Sequence, residues 1–345
     1  MKRIWYHIVK LYIKTGLFFF YKKIEVRGTE HIPVKGAVLF VSNHKNALID
    51  PLLIATTNKR NIHFLTRASA FKIGIVKWIL STVNMLPIYR LRDGKETLAK
   101  NEVIFNKCYK ILGKQQSLLI FPEGTHDIRR LVRPLSKGFT RITFGALAHT
   151  PGLALNIIPV GLNYTKAEIF GERVSIIYGK AIAVNPFYNP ENLNASALAL
   201  KEEVSSKMKE LTTHVDDQAN YDSIIQKLGA IDYLNPDAVN ERIKNLPQSH
   251  SDSIATKPPS FLWRLLNILV IVNSLFPWFI WKAIQPKIKE IEFIATTKFA
   301  IGITGFPLFY SLQALVVHSF FGMWIALIYF VLSIISVLAL VKMKN

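Results

Sequence analysis

A long uncharged segment towards the carboxyl end constrains this chain most strongly. Residues 299–341 contain no Asp, Glu, Lys or Arg. At about 1.5 Å per residue, a helix of this length is roughly twice as long as the hydrocarbon layer of a membrane is thick. The segment therefore predicts two membrane-crossing helices, and His318, Ser319 and Gly322 mark the expected turn between them.

A second apolar segment, residues 265–281, is interrupted by polar residues and by Pro277. It either crosses the membrane once or bends back. Lysines and arginines flank all these apolar segments, and a bent segment places every basic cluster on one side of the membrane. The tendency of positive charge to stay on the cytoplasmic side favours the bent arrangement.

The amino-terminal segment, residues 1–23, is apolar and aromatic, but Lys10 and Lys14 interrupt it. No small-residue cleavage site follows, so the segment is not typical of a signal peptide. Its aromatic residues and basic flanks predict a helix that lies in the membrane interface. The alternative is an ordinary helix that packs on the core of the protein.

Charge and hydrophobicity narrow the classes of partner. The formal net charge is +20, and half of the residues are hydrophobic. Such a charge attracts polyanions, either nucleic acid or anionic lipid headgroups. The hydrophobicity favours lipid, and the sequence contains no zinc-finger spacing, aromatic RNA-binding signature or basic heptad region. We therefore expect membrane lipids, and not nucleic acid, as partners.

Between the two ends, strand-like and helix-like segments alternate along the chain. This pattern predicts an α/β fold with a mostly parallel sheet flanked by helices. The strand candidates are residues 24–28, 37–42, 62–66, 86–90, 117–121, 155–163 and 173–179. The helix candidates are residues 51–58, 72–83, 95–113, 136–149 and 194–213.

The same pattern predicts four regions. An interfacial helix (1–23) precedes an α/β domain (24–214). A polar helical segment with a Pro/Ser-rich linker (215–260) then leads to a membrane region (261–345).

One histidine and one aspartate follow the strand candidate 37–42. A neutral imidazole at His44 could take the proton of a hydroxyl as its oxygen attacks a carbonyl. A carboxylate at Asp50 could orient that ring and stabilise the imidazolium. The same residues also suit an ordinary turn, because Asn43 and Asp50 are good turn or cap residues and Pro51 fits a first helical turn.

Three further stretches follow later strand candidates or lie within them. Arg90 ends the second stretch, Leu86–Arg90, and its planar side chain suits a phosphate. The third stretch is Phe121–His126, in which Gly124 allows a close approach of the backbone to a ligand. A basic run follows it, suited to phosphate or simply to solvent, and consists of Arg129, Arg130, Arg133 and Lys137. The fourth stretch, Ile158–Tyr164, reads as a buried strand.

Together and in this order, the four stretches resemble the PlsC-like glycerolipid acyltransferase family, over roughly residues 25–185. The resemblance implies that His44 is the general base and that Asp50 orients it. It implies no metal and no cofactor, with acyl-CoA or acyl-carrier protein as co-substrate and a glycerol phosphate as acceptor. The residues expected to bind substrate are Asn43, Arg90, Glu123, Gly124, Thr125 and His126.

Two departures from the family pattern stand out. Five residues separate His44 from Asp50, where four are usual. Because one residue turns a helix by about 100°, the insertion must be absorbed in the loop, or Asp50 points away. A subgroup similar to eukaryotic glycerol-3-phosphate acyltransferases has the longer spacing. His126 stands where arginine is usual, either as a ligand of the acceptor or, as we favour, as a residue that stabilises the loop.

The expected function is a membrane-bound O-acyltransferase that converts 1-acylglycerol-3-phosphate to phosphatidic acid. Glycerol-3-phosphate or dihydroxyacetone phosphate is the alternative acceptor. A lipid-binding membrane protein without catalysis and a nucleic-acid-binding membrane protein are alternatives of other classes. The catalytic domain is expected on the cytoplasmic face of a membrane, and the sequence leaves the oligomeric state open.

Overall fold

The computed structural model describes residues 2–71, 74–89, 100–246 and 260–344. Within these residues the chain forms one eight-stranded sheet. Its strands are β1 (Lys23–Arg27), β2 (Ala37–Ser42), β3 (Ile62–Arg67), β4 (Met85–Ile88), β5 (Ser117–Ile120), β6 (Leu155–Tyr164), β7 (Arg173–Tyr178) and β8 (Ile182–Ala183).

Helices lie on both faces of the sheet and follow it in the chain. Those of the sheet-forming part are α1 (Lys2–Phe20), α2 (Ile49–Thr56), α3 (Gly74–Thr82), α4 (Lys100–Gly113), α5 (Gly138–His149), α6 (Leu193–Leu211), α7 (Tyr221–Leu228) and α8 (Pro236–Lys244). Those of the carboxyl-terminal part are α9 (Phe261–Asn273), α10 (Leu275–Ile284), α11 (Glu292–Phe321) and α12 (Met323–Lys342).

The sheet order is β1-β7-β6-β2-β5-β3-β4, and β8 pairs with β6. All neighbouring strands run parallel except β7 and β8, which are each antiparallel to β6. The prediction of a mostly parallel sheet with flanking helices is therefore confirmed. Because β2, β5 and β6 are parallel neighbours, their carboxyl ends meet at one edge, where ligands bind in such sheets.

Strand β2 separates two hydrophobic cores. All six of its residues are buried, and alternate side chains point to opposite faces. Leu39 and Val41 pack in the core that α4, α5 and α6 cover. Val38 and Phe40 pack in the second core, to which α1, α2 and α11 contribute. The second core includes Ala295 and Phe299 of α11, at 0% and 1% exposure, so this helix belongs to the packing of the sheet.

The four-region division stays a prediction, but its first and last regions are in contact. Helix α1 approaches α11 closely at Gly16, where an added Cβ would lie 2.4 Å from Ile303. At the far end of the chain, Lys342 donates to the carbonyls of Phe18 and Tyr21.

Helices α11 and α12 are long and apolar enough to cross a membrane. Their turn lies at Gly322, whose φ of +82° favours glycine. Of the three residues expected at the turn, only Gly322 lies there, because His318 and Ser319 still belong to α11.

Helices α9 and α10 form a pair bent by 91°, as in a broken span or a re-entrant hairpin. Three contacts place its bend beside the middle of α11 and α12. The Asn273 amide group donates to Ser333 (3.0 Å) and accepts from Tyr329 (2.6 Å). Ser274 bonds Tyr310 across 2.6 Å. The start of α9 lies beside the end of α12, because the Trp263 indole donates to the Leu340 carbonyl.

We expect Gly161→Ala to destabilise the fold. A Cβ at Gly161 of β6 would lie 2.0 Å from the Leu211 carbonyl oxygen, which is main chain and must shift. Overpacking of this kind costs about 1–3 kcal/mol, measured as a lower midpoint of thermal unfolding in detergent. Gly302→Ala is the matched control, because no atom lies within 4 Å of the added Cβ. Equal midpoints for the two variants would contradict the prediction.

Candidate active site

His44 and Asp50 lie in hydrogen-bonding contact despite the longer spacing. His44 Nδ1 is 2.8 Å from Asp50 Oδ2. An ionised carboxylate can only accept, so a neutral His44 ring carries its hydrogen on Nδ1 and keeps a lone pair on Nε2. Nε2 has no hydrogen-bond partner among the described residues. This is the arrangement that a general base requires.

The Asp50 carboxylate is fully buried and accepts four hydrogen bonds. Besides His44, Oδ2 accepts from the main-chain N–H groups of Lys45 and Asn46, each at 2.7 Å. Oδ1 accepts from the hydroxyl of Tyr164, the last residue of β6. Burial and the Asp50 charge raise the pKa of Tyr164 well above its usual value, so this phenol stays a donor.

The loop between His44 and helix α2 absorbs the extra residue by bulging towards helix α11. The N–H groups of Lys45 and Asn46 donate to Asp50. Ala47 donates to the Glu292 carbonyl (3.4 Å), and Leu48 donates to Thr296 Oγ1 (3.0 Å). Each of these four N–H groups has a partner, and Asp50 still reaches the imidazole.

The loop after β5 forms the second side of the site. Phe121 stacks on the His44 ring, with centroids 4.0 Å apart and planes 16° from parallel. The Asp127 N–H donates to the His44 carbonyl at 2.9 Å. Gly124 makes the turn between these contacts with φ of +73°, and an added Cβ there would meet nothing within 4 Å. The loop therefore fixes one face of the imidazole.

Glu123 and Thr125 bind Arg133 within the loop. The Glu123 side chain is completely buried, and its carboxylate accepts from Arg133 Nη2 at 2.8 Å and from Nε at 3.1 Å. The same guanidinium donates to the hydroxyl and the carbonyl of Thr125. Glu123 and Thr125, expected to bind substrate, are thus engaged in holding Arg133.

Two other arginines of the basic run, Arg129 and Arg130, are also engaged. Arg129 pairs with Asp127 at 2.7 Å. Arg130 donates to the carbonyls of Tyr164 and Thr165, each at 2.8 Å, and stacks on the Tyr233 ring. The expectation that this run binds phosphate is therefore unsupported for Arg129 and Arg130, because their guanidinium groups already bind other residues of the protein.

Asn43, also expected to bind substrate, is fully buried and bound to β6. Its amide accepts from the Leu162 N–H at 2.8 Å and donates to the Leu162 carbonyl at 3.0 Å. This two-way contact joins the end of β2 to β6 and engages both the oxygen and the nitrogen of the amide. Arg90 lies outside the described residues.

His126 lies beside both the candidate base and the start of α11. Its ring is 5.6 Å from the His44 ring and packs edge-on against Phe293. Glu290 and Glu292 lie 3.6 Å and 3.8 Å from its ring nitrogens. Burial, followed by the nearby His44, lowers the pKa of His126. Ligand atoms of the three side chains lie within 4.8 Å of one another, a spacing that a metal ion could bridge.

The sequence did not predict the roles of two residues near the site, Tyr164 and Lys45. Tyr164 ends the fourth stretch, and its position at a strand terminus was the available signal. No feature of the sequence marked Lys45 as a buried residue. It is 7% exposed, and its ammonium group donates to the carbonyls of Arg129 and Leu131.

Comparisons with known proteins find similarity to acyltransferases. A family model described as acyltransferase matches residues 23–163. The chain is 24% identical, over 162 residues, to a chloroplastic 1-acyl-sn-glycerol-3-phosphate acyltransferase of Brassica napus. That match covers 46% of this chain and 44% of the plant enzyme. A 1-acyl-sn-glycerol-3-phosphate acyltransferase of Borreliella burgdorferi is 28% identical, over 54% of this chain and 69% of its own length.

Another relative, at lower sequence identity, carries a different acceptor in its name. Glycerol-3-phosphate O-acyltransferase 1 of Saccharomyces cerevisiae is 19% identical, over 63% of this chain and 40% of the yeast protein. The crystal structure of the 1-acyl-sn-glycerophosphate acyltransferase PlsC from Thermotoga maritima aligns with a TM-score of 0.44 at 19% identity. That alignment covers 60% of this chain and 81% of that chain.

Over residues 23–163 the chain is therefore similar to acyltransferases, in agreement with the PlsC-like resemblance of its sequence. The chain spans less than half the length of its plant and yeast relatives.

We expect the stability contributed by Lys45 to rise with pH. Burial lowers the pKa of Lys45 to about 8, against the opposing effect of Glu123 and Asp127. An unfolded lysine titrates near 10.4, so the unfolded state binds more protons between about pH 8 and 10. Across this window the free energy of unfolding of the wild type should rise relative to Lys45→Met, by up to about 3 kcal/mol.

The measurement is denaturant unfolding in detergent at pH 7, 8.5 and 10. Lys207→Met is the control, because this lysine lies on the surface, paired with Glu210. The free energy of unfolding of Lys207→Met, relative to that of the wild type, should depend much less on pH. A difference between the wild type and Lys45→Met that is the same at all three pH values would contradict the prediction.

Proposed function

We propose that this protein is a membrane-bound O-acyltransferase that uses His44 as its base. One observation carries the proposal: the ring nitrogen Nδ1 is held by a buried carboxylate while Nε2 is left without a partner among the described residues. The acceptor hydroxyl donates to Nε2, and its proton moves to the ring as the oxygen attacks the thioester carbonyl. Asp50 stabilises the imidazolium, which returns the proton to the departing thiolate.

The proposed acceptor is 1-acylglycerol-3-phosphate, and the product is phosphatidic acid. The support is the names of the plant and spirochaete relatives. Acyl-CoA or acyl-carrier protein would supply the acyl group, with no cofactor. Glycerol-3-phosphate is the second candidate acceptor, supported by the yeast relative.

A cation for the acceptor phosphate is available at the end of β3. Arg67 is half-buried there, and its charge acts on His126 beside the base. It has no hydrogen bond or ion pair among the described residues, unlike Arg129, Arg130 and Arg133. We assign Arg67, together with Arg90, to the acceptor phosphate, because a free planar guanidinium can bind it with two hydrogen bonds.

The proposed location is a membrane, with the acyltransferase domain on its cytoplasmic face. Both ends of the α11–α12 hairpin contact that domain. Thr296 accepts a hydrogen bond from Leu48 in the loop after His44, and Lys344 pairs with Glu172 at 2.7 Å. The hairpin therefore leaves the domain and returns to it. With the bent α9–α10 pair beside it, the flanking basic residues gather on the domain side, as the positive-inside tendency prefers.

An assay of purified membranes tests the proposal. Membranes containing the protein are given labelled acyl-CoA with 1-acylglycerol-3-phosphate, glycerol-3-phosphate or dihydroxyacetone phosphate in turn. We expect transfer to 1-acylglycerol-3-phosphate, and a loss of roughly a hundredfold to ten-thousandfold in His44→Ala. His149→Ala is the matched control, since His149 is exposed on α5. Unchanged transfer in His44→Ala would exclude the mechanism, and transfer to glycerol-3-phosphate alone would favour the second candidate.

A further inference from the structure

The catalytic loop, residues 45–48, is held from outside by a helix that is distant in sequence. Asp50 binds the first two N–H groups of the loop, and helix α11 binds the other two. Without α11, the N–H groups of Ala47 and Leu48 would lose their partners in a half-buried bulge. An unpaired buried donor costs about 1–3 kcal/mol, so the loop would be expected to rearrange.

The Thr296 hydroxyl makes two contacts with this loop at once. It accepts from the Leu48 N–H at 3.0 Å and donates to Asn46 Oδ1 at 3.3 Å. Only a hydroxyl offers a donor and an acceptor on one atom, so serine can replace threonine here and valine cannot. Thr296 therefore acts on both the main chain and a side chain of the loop.

Asn46 connects Thr296 to the Asp50 carboxylate through hydrogen bonds. It is completely buried, and its amide donates to the Ala167 carbonyl at 2.6 Å while accepting from Thr296. Its own N–H donates to Asp50. A displacement of Asn46 would therefore move one of the four donors that hold the carboxylate facing His44.

Helix α11 is itself held rigidly against the domain. Ala295 and Phe299 are buried in the second core, on either side of Thr296 in the sequence. The Glu292 carboxylate lies 3.8 Å from His126, and its carbonyl accepts from Ala47. The first two turns of α11 thus contact both loops that surround the base.

We propose that Thr296, on a helix long enough to cross a membrane, is a positioning residue for catalysis. It holds the five-residue loop in the bulged form that directs Asp50 to His44. The inference rests on the proposed acyl transfer from His44, and it adds the start of α11 to the catalytic machinery.

The test compares Thr296→Val, which keeps the shape of the side chain, with Thr296→Ser, which keeps the hydroxyl. We expect Thr296→Val to lower kcat by roughly 10- to 100-fold, since small misplacements of catalytic groups have effects of this size. The KM for acyl-CoA should stay unchanged, and Thr296→Ser should restore kcat. Thr304→Val is the matched control, because Thr304 is an exposed threonine on the same helix that donates only to Ala300.

A second readout is independent of the reaction. In detergent-solubilised protein labelled with ¹⁵N-histidine, His44 should show a downfield Nδ1 proton from its bond to Asp50, identified by its loss in His44→Ala. We expect this resonance to disappear or shift in Thr296→Val and to persist in Thr296→Ser and Thr304→Val. An inactive wild type with this pattern would count against the proposed acyl transfer while supporting the loop restraint.

Two results would overturn the inference. One is a Thr296→Val protein that keeps both kcat and the resonance. The other is a Thr296→Ser protein impaired as much as Thr296→Val, because the side chain would then serve packing rather than hydrogen bonding.

Discussion

The site depends on the buried charge of Asp50. An ionised carboxylate removed from water is unfavourable unless donors replace its hydration. Here four donors do so, from the His44 ring, two loop N–H groups and the Tyr164 hydroxyl. They come from the loop that follows β2 and from the end of β6, the neighbouring strand. Satisfying the carboxylate therefore fixes the imidazole, the loop and the end of β6 together.

The same principle shapes the second side of the site. Glu123 is buried, and Arg133 neutralises it with two hydrogen bonds while also holding Thr125. Residues that resemble a substrate-binding set are thus engaged with one another. A buried pair of this kind is weak support for stability, because desolvation offsets much of its attraction. It serves better to set the shape of the loop that stacks Phe121 on His44.

Local pattern predicted most of the sheet. Strand β2 occupies the expected residues 37–42, since a short apolar run between turn residues specifies a buried strand. Strand β6 extends one residue further than expected, to Tyr164. The two-residue strand β8 is too short for any periodicity. The polar helical part of region 215–260 divides into α7 and α8, because polar segments give little indication of where helices end.

The site was less predictable because its partners are distant in the chain. His44 and Asp50 are only six residues apart in the chain, and the family pattern indicated both. No local pattern indicated that Asn43 would bind Leu162, 119 residues away, or that Leu48 would bind Thr296, 248 residues away. Those pairings depend on which helix packs beside which loop. Hydrophobic periodicity specifies the buried face of a helix, but not its neighbour.

The packing of α11 connects the proposed base to the apolar part of the chain. The acceptor proposed here has a phosphate that requires water and cations, and a chain that requires an apolar surface. Helix α11 starts beside His44 and His126 and continues as an apolar helix whose Leu308, Leu312 and Leu315 are exposed. Helix α1, in contact with it, also exposes Ile4, Ile8 and Leu11. In a membrane these faces would contact lipid, so the helix that contacts the loop 45–48 would also adjoin the chain of the proposed acceptor.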